Sequence, residues 1–406
     1  MKKILYISMF DSSLDGRTIS RGKQLIPLLK EDYCITFISS DFNHLSKQKR
    51  NLDYVNKYKI ENDISVVLIS VPKYKKNIGL KRIYSNYIFS KKLKEHLINN
   101  KYDLIYCLVP SLLPALEVRK YCIEKKIKYI LDVQDIWPEA FRLKFNHKLL
   151  DLTIYRFLDY LGDKIYESAS GIIGVSDTNT NYALKKCSNK TKGITIYNGM
   201  DIDSFVSYYD ANEIFKDEKE FWIIYIGALG NSYNIPLVIE AIASLNCEGY
   251  KSIKFMCVGS GPYREEWITY AKKMNCNSEF IDMDTISYKT LVNYLNKSDV
   301  GINPIFDTAP QSISNKVRDY SCAALPVIST QKNKEYIDLI EILNIGLNCD
   351  NSCDSLKEAI LNLYQDKNLT FTMRCNVKNK FRQRFDVKFE YPKIKKMIDS
   401  LVEEDD

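Results

Sequence analysis

The chain has 406 residues, 45% of them hydrophobic and 27% charged, an ordinary globular composition with enough chain for two cores rather than one. No apolar run reaches the ~18 residues that span a bilayer. Eleven cysteines without a CxxC pair argue for reduced thiols rather than a disulfide framework, and three histidines (His44, His96, His147) away from any cysteine pair argue against zinc.

Net charge is +7 but lopsided. Residues 1–200 carry 34 Lys/Arg against 20 Asp/Glu, and residues 201–406 carry 24 against 31. Either the basic half meets an anionic partner or charge has drifted without function.

The N-terminus "MKKILYIS" reads as a first buried strand, because polar "DSSLDGR" cuts the apolar stretch too short for a signal peptide. Further β-rich runs follow: "CITFIS", "SVVLISV", "LIYCLV", "KYILDV", "GIIGVS" and "ITIYNG". Amphipathic pieces at Arg21–Lys30, Tyr84–Asn99 and Leu112–Lys125 lie between several of them. This is the rhythm of a parallel sheet with helices on both faces.

The rhythm then starts again. "FWIIYIGAL", "IKFMCVG", "EFIDM", "VGINPI" and "PVIST" are strands. Pro236–Leu245, Tyr263–Met274, Tyr288–Lys297 and a segment near Asn315–Ala324 are helices. The polar stretch Tyr208–Glu220 separates the two series. The expected fold is α/β, two Rossmann-like doubly wound domains over residues 1–205 and 206–385. A C-terminal helix near 386–406 is expected to pack back on the first domain. Ligands in such sheets sit beyond the carboxyl ends of the strands, which places the expected site in a cleft between the domains.

Several motifs occur in one order: "IIGVS" (172–176), "ITIYNGMDIDSF" (194–205), "YIGALG" (225–230), "FMCVGSGPYREEW" (255–267) and "SDVGINPI" followed by "SISNKVRDYSCAALPVIS" (312–329). Together they resemble the retaining glycosyltransferases of the GT-B fold, family 4, over nearly the whole chain. "VQDIWPEAF" (133–141) and "YIGALGNSYNIPLVIEAI" (225–242) are similar to its bacterial capsule and O-antigen branch.

The resemblance makes the segment around Lys316 the nucleotide-sugar site. A helix N-terminus there would offer free N–H groups and partial positive charge to a phosphate. Ser312, Ser314 and Asn315 stand where that helix begins, and Lys316 adds a cation within reach of a diphosphate. Asp319 stands at the second acidic position of the family's Glu-x7-Glu pattern, where a carboxylate can receive two ribose hydroxyls. Gln311 stands at the first, without the charge. Lys316 and Asp319 could instead be a solvated helical pair.

Gly227 lets backbone approach a ligand. The family often follows it with Arg, then Lys five residues on, both gripping the diphosphate; here those positions hold Ala228 and Tyr233. Tyr233 would stack or hydrogen-bond, or simply pack. Gly259 in "VGSGP" is a turn or a second phosphate approach. Gly16, after the first strand, would face the phosphates from the first domain. Asp135, Trp137 and Glu139 follow a buried strand and suit the acceptor side, Glu139 being equally explicable as a first-turn carboxylate after Pro138. The family often places His where Gln134 stands. Asp282-x-Asp284 and Asp201-x-Asp203 have the outline of a metal pair, a weak signal, and no metal or other cofactor is expected.

The implied reaction moves a sugar from a nucleoside diphosphate, most simply a UDP-sugar, to a glycan acceptor with retained anomeric configuration. Asp135 and Lys316 are the catalytic candidates. The alternatives are a nucleotide-sugar epimerase of the same fold and a subunit that binds the nucleotide sugar without turnover. Between Leu45 and Glu95 lie thirteen Lys/Arg and four Asp/Glu, interleaved with Tyr54, Tyr58, Tyr74, Ile78, Leu80, Ile83, Tyr84, Tyr87 and Phe89. That mix fits an anionic membrane interface or a solvated helical face, and no nucleic-acid module is visible. The expectation is a cytoplasmic enzyme held peripherally on the inner membrane face, using a lipid-linked acceptor.

Overall fold

The computed structural model describes residues 1–15, 20–76, 79–109, 112–136, 156–188, 190–276, 279–309 and 313–403. The chain divides into two units, residues 1–199 with 387–406, and residues 200–386.

The first unit runs β1 (Lys3–Ile7), α1 (Arg21–Leu29), β2 (Cys34–Ser40), the short pair β3 (Phe42–Asn43) and β4 (Gln48–Lys49), α2 (Leu52–Asn62), β5 (Ser65–Ile69), α3 (Leu80–Asn99) and β6 (Leu104–Val109). It continues with α4 (Leu112–Lys125), β7 (Lys128–Val133), α5 (Arg156–Glu167), β8 (Gly171–Gly174), α6 (Asp177–Leu184) and β9 (Lys192–Thr195). The main sheet has the order β5-β2-β1-β6-β7-β8-β9 among the described residues, all parallel.

Strand β1 shows why these runs read as continuously apolar. Leu5 and Ile7 face a core built with Phe89 and Leu93 of α3 and Val118 of α4. Ile4 and Tyr6 face a second core, built with Leu25 of α1, Tyr58 of α2 and Ile394 and Ile398 of the C-terminal helix Val387–Glu403. Both faces are covered, so past the exposed Lys3 no residue of the strand can be polar cheaply. Helix α2 is not evident in the sequence, because it buries only Val55, Tyr58 and Asn62.

The second unit runs α7 (Ile202–Ser207), β10 (Phe221–Ile226), α8 (Ile235–Cys247), β11 (Ile253–Val258), α9 (Arg264–Lys273), β12 (Phe280–Met283), α10 (Tyr288–Lys297) and β13 (Val300–Asn303). Then come α11 (Asn315–Cys322), β14 (Val327–Ser329), α12 (Lys334–Leu343), β15 (Gly346–Asn348), α13 (Cys353–Gln365) and α14 (Lys367–Asn376). Its sheet is parallel in the order β12-β11-β10-β13-β14-β15.

Residues 200–205, assigned from sequence to the first domain, lie with the second unit. The Met200 N–H donates to the Phe385 carbonyl (2.8 Å), and Phe205 sets its ring edge against Tyr288 (6.5 Å between centroids). The strand order reverses at β10, which pairs with β11 on one side and β13 on the other. In doubly wound sheets ligands collect outside the carboxyl ends of strands at such a switch point.

Candidate active site

Three segments leave the sheet at that switch point: the loops after β10 and β11, and the start of α11. The first two zip together. The Gly227 N–H donates to the Val258 carbonyl (3.0 Å) and the Leu229 N–H to the Ser260 carbonyl (2.9 Å). A Cβ at Gly259, whose φ is +143°, would lie 1.9 Å from the Gly227 oxygen, and one at Gly261 would lie 2.2 Å from the Leu229 oxygen. Close loop packing therefore accounts for both glycines of "VGSGP". Gly227 has a φ of +125°, where any other residue is strained.

Lys316 sits in the first turn of α11 and is buried, at 6% exposure. Its Nζ has no hydrogen-bond partner. Instead the ammonium lies over two aromatic faces, 3.4 Å from the Tyr233 ring centroid and 4.5 Å from that of Tyr225. Burial pushes its pKa well below the ordinary lysine value, with the Cys257 thiol pulling weakly the other way. Ser314 occupies the N-cap position, but its hydroxyl makes no cap bond and is also buried without a partner. Asn315 is exposed. The start of α11 thus carries two buried polar groups, an amine nitrogen and a hydroxyl, without a hydrogen-bond partner.

The helix is pinned by Tyr320. Its hydroxyl reaches the carbonyls of Ile224 (3.0 Å) and Ile302 (2.9 Å) and accepts from the Ile226 N–H (3.3 Å). Gly301 makes room for that ring: a Cβ there would lie 2.7 Å from it. This clamp to β10 and β13 fixes where Lys316 stands.

Asp319 already has partners of its own. It is buried, which disposes of a solvated pair with Lys316. Its carboxylate is already engaged: Oδ1 accepts from the Tyr288 hydroxyl (2.7 Å), and Oδ2 pairs with Arg318 (3.1 Å). Ribose hydroxyls would have to share or displace these partners. Tyr233 does pack, its ring edge on Tyr225 (5.4 Å), but it also supplies the nearer face under Lys316.

The Asp282-x-Asp284 pair is taken up by Arg264, bidentate on Asp282 (3.3 and 2.5 Å) and 3.4 Å from Asp284. Asp201 caps α7, accepting from the Asp203 N–H (3.2 Å) and the Ser204 hydroxyl (2.8 Å). Among the described residues no group of three metal-ligating side chains converges. Gly16, Trp137, Glu139, Gln311 and Ser312 lie outside the described residues.

In the first unit, Asp135 lies just beyond β7 and is exposed. Partial desolvation raises its carboxyl above the usual range, and the Arg82 charge works against that. The residue the sequence reading missed is Asp132, within β7 and fully buried. It pairs with buried Arg21 (2.9 Å) and accepts from the Tyr106 hydroxyl (2.6 Å) and the Gln134 amide (2.6 Å). Gln134 in turn accepts from the Asn198 amide (3.1 Å). Arg21 donates to the Ile196 and Tyr197 carbonyls (2.7 and 3.3 Å) and lies over Tyr391. Gln134 is thus a half-buried bridge in a polar network. An aspartate inside "KYILDV" was the available signal.

The apolar residues of the basic region divide between core and surface. Tyr58, Tyr74 and Phe89 are buried core residues, and Ile78 lies outside the described residues. Tyr54, Leu80, Ile83, Tyr84 and Tyr87 are exposed. The last four recur at helical spacing, so they form one apolar stripe at the start of α3. Exposed Lys75, Lys76, Lys81, Lys91 and Lys92 flank it in sequence.

Residues 220–366 match the sequence model of the family described as Glycosyl transferases group 1. A curated relative, an uncharacterized glycosyltransferase of Methanocaldococcus jannaschii, is 22% identical over 260 residues. The match covers 64% of each protein, so the chain spans less than two thirds of that relative's length. Among solved structures, Anabaena HepE in complex with UDP superposes with a TM-score of 0.69 at 14% identity, over 98% of this chain and 100% of that one. WaaG, a glycosyltransferase involved in lipopolysaccharide biosynthesis, superposes at 0.64 with 14% identity, over 97% and 99%. A putative UDP-N-acetylglucosamine 2-epimerase from Listeria monocytogenes reaches 0.62 with 12% identity, over all of this chain and 97% of that one. The chain therefore has the GT-B fold, two Rossmann-like units, and its residues 220–366 carry the signature of the group 1 glycosyltransferases.

Proposed function

We propose that the protein transfers a sugar from a nucleoside diphosphate donor, a UDP-sugar in the simplest case, to a hydroxyl of a glycan acceptor. The observation that carries this reading is Lys316, a buried ammonium without a hydrogen-bond partner at the start of α11, inside the family-matched segment. In the proposed retaining route the C1–O bond to the diphosphate breaks. The acceptor oxygen bonds C1 on the same face, and its proton passes to the departing phosphate oxygen. Negative charge grows on the diphosphate during that step, so a preorganised cation in a dry site acts most strongly there. Asp135 takes the acceptor-orienting role. Phosphate charge is met by Lys316 and by the N–H groups of α11, without a divalent ion. UDP binding by the HepE structure and the lipopolysaccharide role of WaaG support this direction.

The acceptor we propose is lipid-linked, in surface polysaccharide synthesis at the inner face of a cytoplasmic membrane. No described helix is long and apolar enough to cross a membrane. The exposed stripe of α3 and its lysines are the surface offered to anionic headgroups, each cation adding up to about 1 kcal/mol. Sedimentation with anionic vesicles should weaken with salt and fall when Lys75, Lys76, Lys81 and Arg82 are neutralised. Equal binding to neutral and anionic vesicles, or none to either, would sink it.

The epimerase reading keeps one supporting observation, the shared fold with the putative Listeria epimerase. Incubating each UDP-sugar without acceptor separates the readings. An epimerase builds up the epimeric UDP-sugar, a transferase slowly hydrolyses donor to UDP and sugar, and a binding-only subunit releases no sugar.

A further inference from the structure

We infer that Tyr233 is a positioning residue for Lys316: with Tyr225, its ring face holds the ammonium charged and aimed until the diphosphate takes the place of the rings as its partner. This deepens the donor-site reading above and rests on it.

The geometry is specific. Nζ stands 3.4 Å from the Tyr233 ring centroid, closer than the usual limit of about 6 Å for a cation over a ring, and 4.5 Å from that of Tyr225. The two rings meet edge to face at 5.4 Å, so each holds the other in place. The Tyr225 hydroxyl is anchored on the Ala228 carbonyl (2.7 Å), and Tyr233 bridges to Ile305 across the loop. The pocket is thus built by β10, the loop behind it and the first turn of α11.

An aromatic face suits an ammonium that must later move. A carboxylate partner would hold the lysine by charge and compete with the phosphate. A ring quadrupole attracts the cation but adds no net negative charge, so it yields to a diphosphate without repelling it. Where the resemblance expects a second lysine, this chain puts the face that steadies Lys316. Among the described residues the titratable groups facing Nζ are Tyr225, Tyr233 and, from β11, the Cys257 thiol. Burial favours the neutral amine, and a cation over two ring faces is attracted by their quadrupoles, which opposes that. In their absence the lysine would have to take a proton from solvent as UDP binds.

The test uses the full chain labelled with 13Cε-lysine, the Lys316 signal being the one absent from Lys316→Met. Its titration is followed without ligand, and UDP affinity is measured across the same pH range. Tyr233→Leu should move the Lys316 midpoint down by roughly one pH unit and weaken UDP about tenfold above it, as loss of a desolvated cation–π contact implies. Calorimetry in buffers of different ionisation enthalpy should show greater proton uptake on UDP binding. Tyr233→Phe keeps the ring and should titrate as the wild type. An unmoved midpoint in Tyr233→Leu overturns the inference, as does a Tyr233→Phe midpoint displaced as far as that of Tyr233→Leu. A midpoint displaced only in Tyr233→Leu, with UDP affinity indifferent to Lys316→Met, instead overturns the donor-site reading and leaves the ring-to-lysine coupling standing.

Discussion

Replacing Lys316 with methionine should stabilise the protein while disabling it. Leaving a buried donor unsatisfied costs about 1–3 kcal/mol, more for a charge. Two ring faces at 3.4 and 4.5 Å return up to about 2 kcal/mol. The methionine side chain fills similar space and its sulfur also favours aromatic rings. The net gain is then on the order of 1 kcal/mol, which moves the melting temperature of a unit the size of residues 200–386 up by about 2–4 °C. The effect has a pH signature. Lys316 is held below its ordinary value of 10.5, so between its folded value and 10.5 the unfolded chain binds a proton that the folded one has shed. Wild-type stability therefore rises with pH across that window, and the advantage of Lys316→Met is largest at its acid end and vanishes towards 10.5. UDP at 100 times its dissociation constant adds about 2.7 kcal/mol to the wild type. Most of that shift should be lost in the variant, and turnover should fall further than donor affinity. Differential scanning fluorimetry across pH, with and without UDP, reads both quantities. A variant that melts below the wild type at neutral pH yet keeps the UDP shift would show Lys316 to be an ordinary structural residue.

Gly259→Ala should push the two site loops apart, since its Cβ would lie 1.9 Å from the Gly227 oxygen at a φ of +143°; a loss of more than ~1 kcal/mol and weakened UDP binding are expected in the same melts. Asp132→Asn leaves Arg21 buried without its counter-charge and should lower unfolding free energy by about 3–5 kcal/mol in urea titration, with no effect on UDP affinity per folded molecule. Turnover should survive EDTA, because Asp282 and Asp284 are held by Arg264; loss of activity restored by manganese would return the site to those two carboxylates.

The sequence determined the parts that depend on local pattern. Parallel strands covered on both faces are apolar wherever no buried partner such as that of Asp132 is supplied, so "FWIIYI" and "LIYCLV" announce themselves. Helix α10 spans the predicted Tyr288–Lys297, because its apolar positions keep the 3.6-residue period and Ser287 caps it. Lys316 was legible as a candidate for the same reason: strand, polar loop and helix start are adjacent in the chain. The state of each candidate was decided only in three dimensions. Tyr233 lies beneath Lys316 though 83 positions separate them, because β10 and β13 are neighbours in the sheet. Asp319 is taken by Tyr288, 31 residues away, and Gln134 is held between Asp132 and Asn198 in a network that reaches back to Arg21. Periodicity reports which face of an element is buried. It carries no record of which distant side chain shares that burial, and in a low-dielectric interior that partner sets whether a charge is spent on the fold or left for a ligand.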